Sequence, residues 1–249
     1  MLHTLGVVQA CCGSPRLASS LCRKLGGRAL LEWIARRVTE STRLSGVIVL
    51  ARDTPEHQRL VKLVPRDIPV LVRSEPTALE RLLKALEEFP AEHVVRVRGD
   101  NPFVDPVLID RLVNAVESEE ECDYACYCSR DGKPAIGSPV GMFAEWFRSA
   151  AVRKLARLPL EQSQRDDVTL GFVCQADKFK LRLIPAPPEL DREDVRLRLD
   201  NEEDYDNAEV IFEALGPERL DWRGIANLLH HQPHLRLRMA HLNRTCAEQ

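Results

Sequence analysis

What this sequence of 249 residues lacks narrows it first. No apolar run approaches the roughly 18 residues needed to cross a bilayer, which excludes a helical membrane span. The opening stretch MLHTLGVVQACC has no basic region ahead of its apolar residues, and Gln9 interrupts them, so it does not read as an export signal. There is no excess of positive charge: 35 basic residues face 38 acidic ones, for a formal charge of -3. A protein held on nucleic acid by bulk charge is thereby disfavoured, and no nucleic-acid partner is expected. Internal repeats, low-complexity tracts and clear linkers are absent too. Neither a P-loop ending in Gly-Lys-Ser/Thr nor a G-x-G-x-x-G dinucleotide fingerprint is present.

What is there is an ordinary soluble composition, 44% apolar and 29% charged. Eight cysteines without an export signal point to reduced thiols and a cytoplasmic location. Cys122, Cys126 and Cys128 are clustered, but the C-x₃-C-x-C spacing is poor for zinc or an iron–sulfur cluster, and buried thiols are the simpler reading. Arginine outnumbers lysine 28 to 7, which suits phosphate binding but is explained as well by genomic base composition.

The hydropathy pattern alternates strands and helices. Strands are predicted at Leu5 to Gln9, Gly46 to Ala51, Ile68 to Val72 and His93 to Val97. Between them fall helices at Ala29 to Ser41, after the Thr54-Pro55 start, and from Thr77 to Phe89, with another from Asp105-Pro106 to about Val116. This order predicts an α/β fold with a mostly parallel central sheet and helices on both faces. In the second half, strands are predicted at Tyr124 to Cys128, Phe179 to Pro185 and Val195 to Leu199. Phe143 to Ala156 is read as helical, and Asn201 to Leu215 as a helix with Asn201 as candidate cap. The chain divides into an α/β domain over residues 1–215 and a C-terminal helical extension over 216–249.

Ligands bind at the carboxyl ends of parallel strands, and two predicted turns fall there. The loop Gln9-Ala10-Cys11-Cys12-Gly13-Ser14-Pro15-Arg16 can turn main-chain N–H groups and one guanidinium toward a phosphate; alone it reads more readily as a plain surface loop. Arg96-Val97-Arg98-Gly99-Asp100-Asn101-Pro102 places an aspartate where a metal–phosphate complex would lie, or forms a plain β-turn. A third segment, Val195 to Asp204, ends a predicted strand at Asp200, a second carboxylate or a helix cap. Adjacency of Asp100 and Asp200 would make a two-carboxylate metal site.

In this order and spacing the segments resemble the cytidylyltransferases that activate acidic sugars, and most of all the branch of the spore coat polysaccharide biosynthesis protein F type. Gln9 to Ser20, followed by Leu25-Gly26-Gly27-Arg28-Ala29-Leu30-Leu31, is similar to the family's Q-A-R-x-G-S-T-R-L-P-G-K and L-G-G-K-P-L-L. Arg73 to Arg81 resembles G-S-E-x-D-V-L-x-R, and Val95 to Pro106 resembles V-R-x-T-G-D-C-P-x-x-D-P. Glu145 to Val152, Arg165 to Thr169 and Leu197 to Asp204 resemble E-V-F-S-F-E-A-L, R-E-H-V-T and L-T-V-D-T-P-E-D. The resemblance implies a three-layer, Rossmann-like fold of the nucleotide-diphospho-sugar transferase type. It implies attack of a sugar hydroxyl on the α-phosphorus of CTP with release of pyrophosphate, serving surface polysaccharide biosynthesis. Asp100 and Asp200 would hold Mg2+, and Arg16 with Asp100 would be catalytic. Gln9, Ala10, Gly13, Ser14, Arg16, Glu75, Arg96 and Gly99 would bind the nucleotide. The partners implied are CTP, a small acidic sugar and a second copy of the chain, with no membrane. Three positions depart from the pattern: Cys11 and Ser20 stand where the family carries Arg and Lys, and Phe143 where it carries Asp. A nucleotide-binding homologue without turnover is therefore an open alternative. A glycosyltransferase using a nucleotide-sugar donor is another, although Gly99-Asp100-Asn101 lacks the Asp-x-Asp of that class.

Overall fold

The computed structural model describes residues 1–10, 22–117 and 121–247. The strands and helices run β1 (Leu2–Gln9), β2 (Lys24–Leu25), β3 (Arg28–Ala29), α1 (Leu30–Thr39), β4 (Gly46–Arg52), α2 (Pro55–Val61), β5 (Val70–Arg73), α3 (Ala78–Glu88), β6 (Ala91–Arg98), α4 (Pro106–Glu117), β7 (Tyr124–Cys128), β8 (Glu145–Arg148), α5 (Ser149–Ala156), α6 (Gln162–Asp166), α7 (Val168–Cys174), β9 (Leu181–Pro185), α8 (Glu202–Leu215), α9 (Trp222–His231) and α10 (Pro233–Ala247). Seven strands form one sheet in the order β5-β4-β1-β6-β8-β7-β9. All its pairings are parallel except the two made by β8.

Each face of the sheet carries its own apolar core. Leu5 and Val7 of β1 meet Leu79, Leu82 and Phe172 on one side. Val8 meets Leu30, Ile34 and Leu112 on the other. The strands alternate sides because their side chains do, and near-continuous apolar runs such as Val47 to Ala51 fit strands covered on both faces. The result is three layers, helix–sheet–helix, as the alternating pattern implied. The C-terminal helices join the second core through Ile225, Leu229, Leu235 and Met239. Among the described residues no helix is long and apolar enough to cross a membrane.

Local signals placed most helix starts correctly. Thr54 caps α2 and Thr77 closes a capping box with Glu80 at α3. Asp105 receives the Val107 and Leu108 N–H groups at 2.7 and 3.1 Å. Two predicted elements differ. Glu145–Arg148 is a strand, not the opening of a helix: Trp146 and Phe147 point to opposite cores, which a strand allows and one helical face does not. Val195 to Leu199 forms no ladder. The sheet position beside β6 is taken by β8, and the 195–199 segment hydrogen-bonds to loops instead.

Candidate active site

The chain moves outward from β1 to β4 and β5, then returns to β6 on the other flank of β1. The crevice where the order reverses, at the carboxyl ends of β1 and β6, is where such sheets bind ligands. Gln9 ends β1 there. Its carbonyl accepts the Gly99 N–H at 3.0 Å, and the Ala10 N–H donates to Leu50 O at 2.9 Å. Of the residues expected to bind the nucleotide, Gly13, Ser14 and Arg16 lie outside the described residues, as do Cys11 and Ser20.

The segments that carry the two aspartates meet on this rim. The main-chain N–H of Leu199 donates to the Asp100 carbonyl at 2.9 Å, so the segment carrying Asp200 lies against the turn carrying Asp100. The Leu197 and Arg198 N–H groups both reach Pro139 O, at 2.9 and 3.1 Å. The approach is close enough to require glycine at 141. Its φ is +57°, and a Cβ there would lie 2.5 Å from the Arg198 nitrogen. The helix-cap role considered for Asp200 belongs to Asn201, whose Oδ1 accepts the Asp204 N–H at 2.9 Å. Asp200 is thus left with a carboxylate not consumed by the helix.

Each carboxylate is now held by arginine. Arg98 donates through Nε to Asp100 Oδ1 at 3.1 Å and through Nη2 to Oδ2 at 2.8 Å. Arg198 reaches Asp200 Oδ2 through Nε at 2.8 Å and Nη2 at 2.6 Å, and Arg196 adds a bond at 3.0 Å. Arg196, buried to 2% exposure, also holds Asp204 through Nε at 2.6 Å. Arg98 and Arg198 were not singled out from sequence. The signal was the Arg-x-Asp spacing in each segment, which in extended chain puts guanidinium and carboxylate on one side.

Arg96 turns inward. Its guanidinium donates to Gln9 Oε1 at 3.1 Å and Thr169 Oγ1 at 2.8 Å, and pairs with Glu145. Glu145 Oε2 in turn accepts the Tyr124 and Thr169 hydroxyls, each at 2.8 Å. The motif around Arg96, the one starting at Glu145 and the one ending at Thr169 therefore converge on one buried network whose visible outlet is the Gln9 side chain. Burial foremost, with the Glu145 charge, holds the Tyr124 hydroxyl well above its ordinary pKa, so it acts as a neutral donor. Phe143 is core: it is 1% exposed and packs on Tyr127 with ring centroids 5.0 Å apart.

Two more groups stand on the rim. Glu75 follows β5; its carbonyl accepts Arg81 Nη1 at 2.7 Å, and its Oε2 is buried without a partner among the described residues. His57, which the sequence reading passed over, opens α2. Its Nδ1 lies 2.8 Å from Thr54 Oγ1, and its ring hydrogen-bonds the Ala10 main chain. Burial lowers its pKa below the ordinary 6.5, favouring the neutral ring. The thiols of Cys122, Cys126 and Cys128 are buried and in no disulfide among the described residues, and burial pushes Cys126 up to about 12, as in an apolar filling role.

Comparison with known proteins bears on the family and the fold. A family model described as cytidylyltransferase matches residues 5–215. Spore coat polysaccharide biosynthesis protein SpsF of Bacillus subtilis is 27% identical over 227 residues, covering 89% of this chain and 90% of its own. Among solved structures, a cytidylyltransferase from Leptospira borgpetersenii superposes with a TM-score of 0.80 at 19% identity, covering 94% of this chain and 95% of that one. A CMP-2-keto-3-deoxy-manno-octonic acid synthetase in complex with CTP superposes at 0.62 and 13% identity, over 85% of this chain and 99% of the other. At such identities the structural matches speak to the fold.

Proposed function

The chain belongs to the cytidylyltransferase family, and from that premise we propose that it transfers the cytidylyl group of CTP to a hydroxyl of a small acidic sugar in polysaccharide biosynthesis. The observation that carries this reading is the Leu199-to-Asp100 hydrogen bond, which brings Asp100 and Asp200 to one rim at the sheet's switch point. In the reaction, the sugar hydroxyl oxygen bonds to the α-phosphorus and its proton passes to solvent. The bond from that phosphorus to the β-phosphate oxygen breaks, and pyrophosphate leaves.

Two carboxylates in a crevice are the hard oxygen donors that Mg2+ takes alongside substrate phosphates, so the residues fit that ion. When bound, Mg2+ would neutralise phosphate charge and polarise the reacting phosphorus. The chain's own residues then do the rest. Asp100 and Asp200 would hold the ion, and Arg98 and Arg198 beside them carry planar guanidiniums suited to bidentate contact with the triphosphate. These two arginines supply the positive charge that Cys11 and Ser20 do not. Arg16 and the main chain of residues 10–14 bind the nucleotide, with Gly99 admitting close approach. Gln9 is fixed by Arg96, and Glu75 offers an acceptor without a partner among the described residues. Catalysis on this account is in-line positioning plus charge neutralisation.

The test is pyrophosphate release from CTP and Mg2+ with a panel of 2-keto-3-deoxy and acylneuraminate sugars. Release with one of them, abolished in Asp100→Asn, supports the reading; release with none across the panel contradicts it. A second reading, binding of nucleotide without turnover, draws on the arginines that occupy both carboxylates. It expects CTP binding, no pyrophosphate, and no gain of metal affinity when Arg98 is removed.

A further inference from the structure

At the opposite end of the sheet, remote from the rim, the starts of β1 and β6 lie side by side. Leu2 pairs with Ala91 and Thr4 with His93, which puts His3 beside Glu92. His3 Nδ1 lies 2.9 Å from Glu92 Oε2, and its Nε2 lies 3.5 Å from Glu117 Oε1 at the end of α4. The His3 and His93 rings meet edge-on with centroids 5.0 Å apart, and His93 is backed by Trp146 at 4.7 Å. One ligand atom from each of His3, Glu92 and His93 lies within 4.8 Å of the other two. Six residue steps of β1 separate His3 from Gln9, and at about 3.3 Å each they put this cluster roughly 20 Å from Gln9. It has no part in the cytidylyl transfer proposed above and does not depend on it.

We propose that His3, Glu92 and His93 form a site for a divalent transition ion, with zinc the best match. Two imidazole nitrogens and one carboxylate oxygen are a donor set that zinc takes, at about 2.0–2.2 Å. A magnesium ion asks instead for six oxygens in near-octahedral array. Tetrahedral ligands at such bond lengths sit roughly 3.3 Å from one another. The spacing here brackets that value, and the exposed side chains of His3 and Glu92 are free to turn. Glu117 is placed to accept the second imidazole N–H of His3, the carboxylate–histidine support that metal sites use to fix ring orientation. With three protein ligands, the fourth position opens into a cavity of about 530 Å3. That cavity is lined in part by Arg148, Arg153, Ser149 and Trp146, and the Ser149 hydroxyl and Trp146 indole N–H are buried without partners among the described residues. Such walls suit an acceptor, so the fourth ligand is water or a small anion. The bound ion would tie together the first residues of two central strands, β1 and β6, and stabilise the fold by mass action.

The test uses the full chain, stripped with a chelator and titrated with zinc chloride by calorimetry, then with cobalt(II), whose absorption separates tetrahedral nitrogen–oxygen sites from thiolate sites. The expected result is one equivalent of zinc, a cobalt spectrum without thiolate character, and a melting temperature raised by roughly 5–10 °C at about 100 times the dissociation constant. His3→Ala and Glu92→Ala, both at exposed positions, should each weaken zinc binding at least tenfold with circular dichroism unchanged. Asp100→Asn should bind it as well as the unaltered chain. No stoichiometric binding at micromolar zinc, equal affinity in His3→Ala and Glu92→Ala, or a thiolate cobalt spectrum would each overturn the proposal.

Discussion

Leu199 donates its main-chain N–H to the Asp100 carbonyl at 2.9 Å, and through that bond the loop before α8 is fastened to the turn that ends β6. The bond couples two segments about 100 residues apart without any strand pairing. It is backbone to backbone, so it positions Asp200 independently of what either carboxylate binds. The site's geometry thus belongs to the fold, and its charge state to the arginines.

Gly141 should be a sensitive reporter of this fastening. Gly141→Ala forces a Cβ against the Arg198 nitrogen at a positive φ, so urea unfolding should show a loss of more than about 1 kcal/mol. The metal-dependent response to CTP should shrink with it. Gly132 also has a positive φ, +73°, but a Cβ there meets nothing within 4 Å. Gly132→Ala should cost less and leave the CTP response intact. Equal behaviour of the two variants would count against the fastening.

Removing the arginine partners should separate metal from phosphate. In Arg98→Ala, Asp100 loses its bidentate partner, so Mn2+ binding without nucleotide should tighten about two- to fivefold, the scale of a partly exposed ion pair. Binding of CTP with Mg2+ should weaken roughly tenfold through the lost charge-assisted contact. Isothermal titration with each ligand measures both. CTP affinity unchanged in Arg98→Ala and in Arg198→Ala would remove these residues from the phosphate site.

The Arg96–Glu145 pair should be costly to halve and cheaper to delete. Both side chains are buried. Arg96→Met strands a carboxylate, and about 3–5 kcal/mol should be lost in urea unfolding. The double variant Arg96→Met/Glu145→Leu should recover part of that loss, with a coupling energy well above about 0.5 kcal/mol. Simple additivity would show that Arg96 and Glu145 are not coupled as a buried pair.

His57 carries a pH signature. Burial lowers its folded pKa below the 6.5 of the unfolded chain, with the hydrogen bond to the Ala10 main chain and then Glu56 opposing and Arg52 and Arg81 reinforcing. Between the two values the unfolded chain binds more protons than the folded one, so stability falls as pH drops below about 6.5 and levels off beneath the folded pKa. Above 6.5 the group contributes no slope. Unfolding midpoints of the native protein and His57→Gln between pH 5 and 8 should diverge in slope only below that point. Parallel curves would contradict the burial of this ring.

Much of the sheet and most helix starts could be read from sequence because they depend on local chemistry. Thr54-Pro55, Thr77 with Glu80, and Asn201 with Asp204 cap their helices through residues three apart. The misread segments depend on distant partners. Glu145–Arg148 is a strand because β6 and β7 flank it, and Val195 to Leu199 is not one because β8 occupies the place it would need. The inward turn of Arg96 was equally hidden, since Glu145 and Thr169 lie 49 and 73 residues away. Arg98 and Arg198 were within reach of sequence reasoning through their Arg-x-Asp spacing.

The most direct measurement is thermal unfolding with CTP, ATP, GTP and UTP, each with and without Mg2+, for the native protein, Asp100→Asn and Asp200→Asn. A ligand at about 100 times its dissociation constant adds roughly 2.7 kcal/mol, or roughly 5–10 °C for a chain of this size. The expected result is a CTP-selective shift that needs Mg2+ and disappears in both variants. The same shift in Asp100→Asn and Asp200→Asn as in the native protein would contradict a shared metal–nucleotide site on this rim.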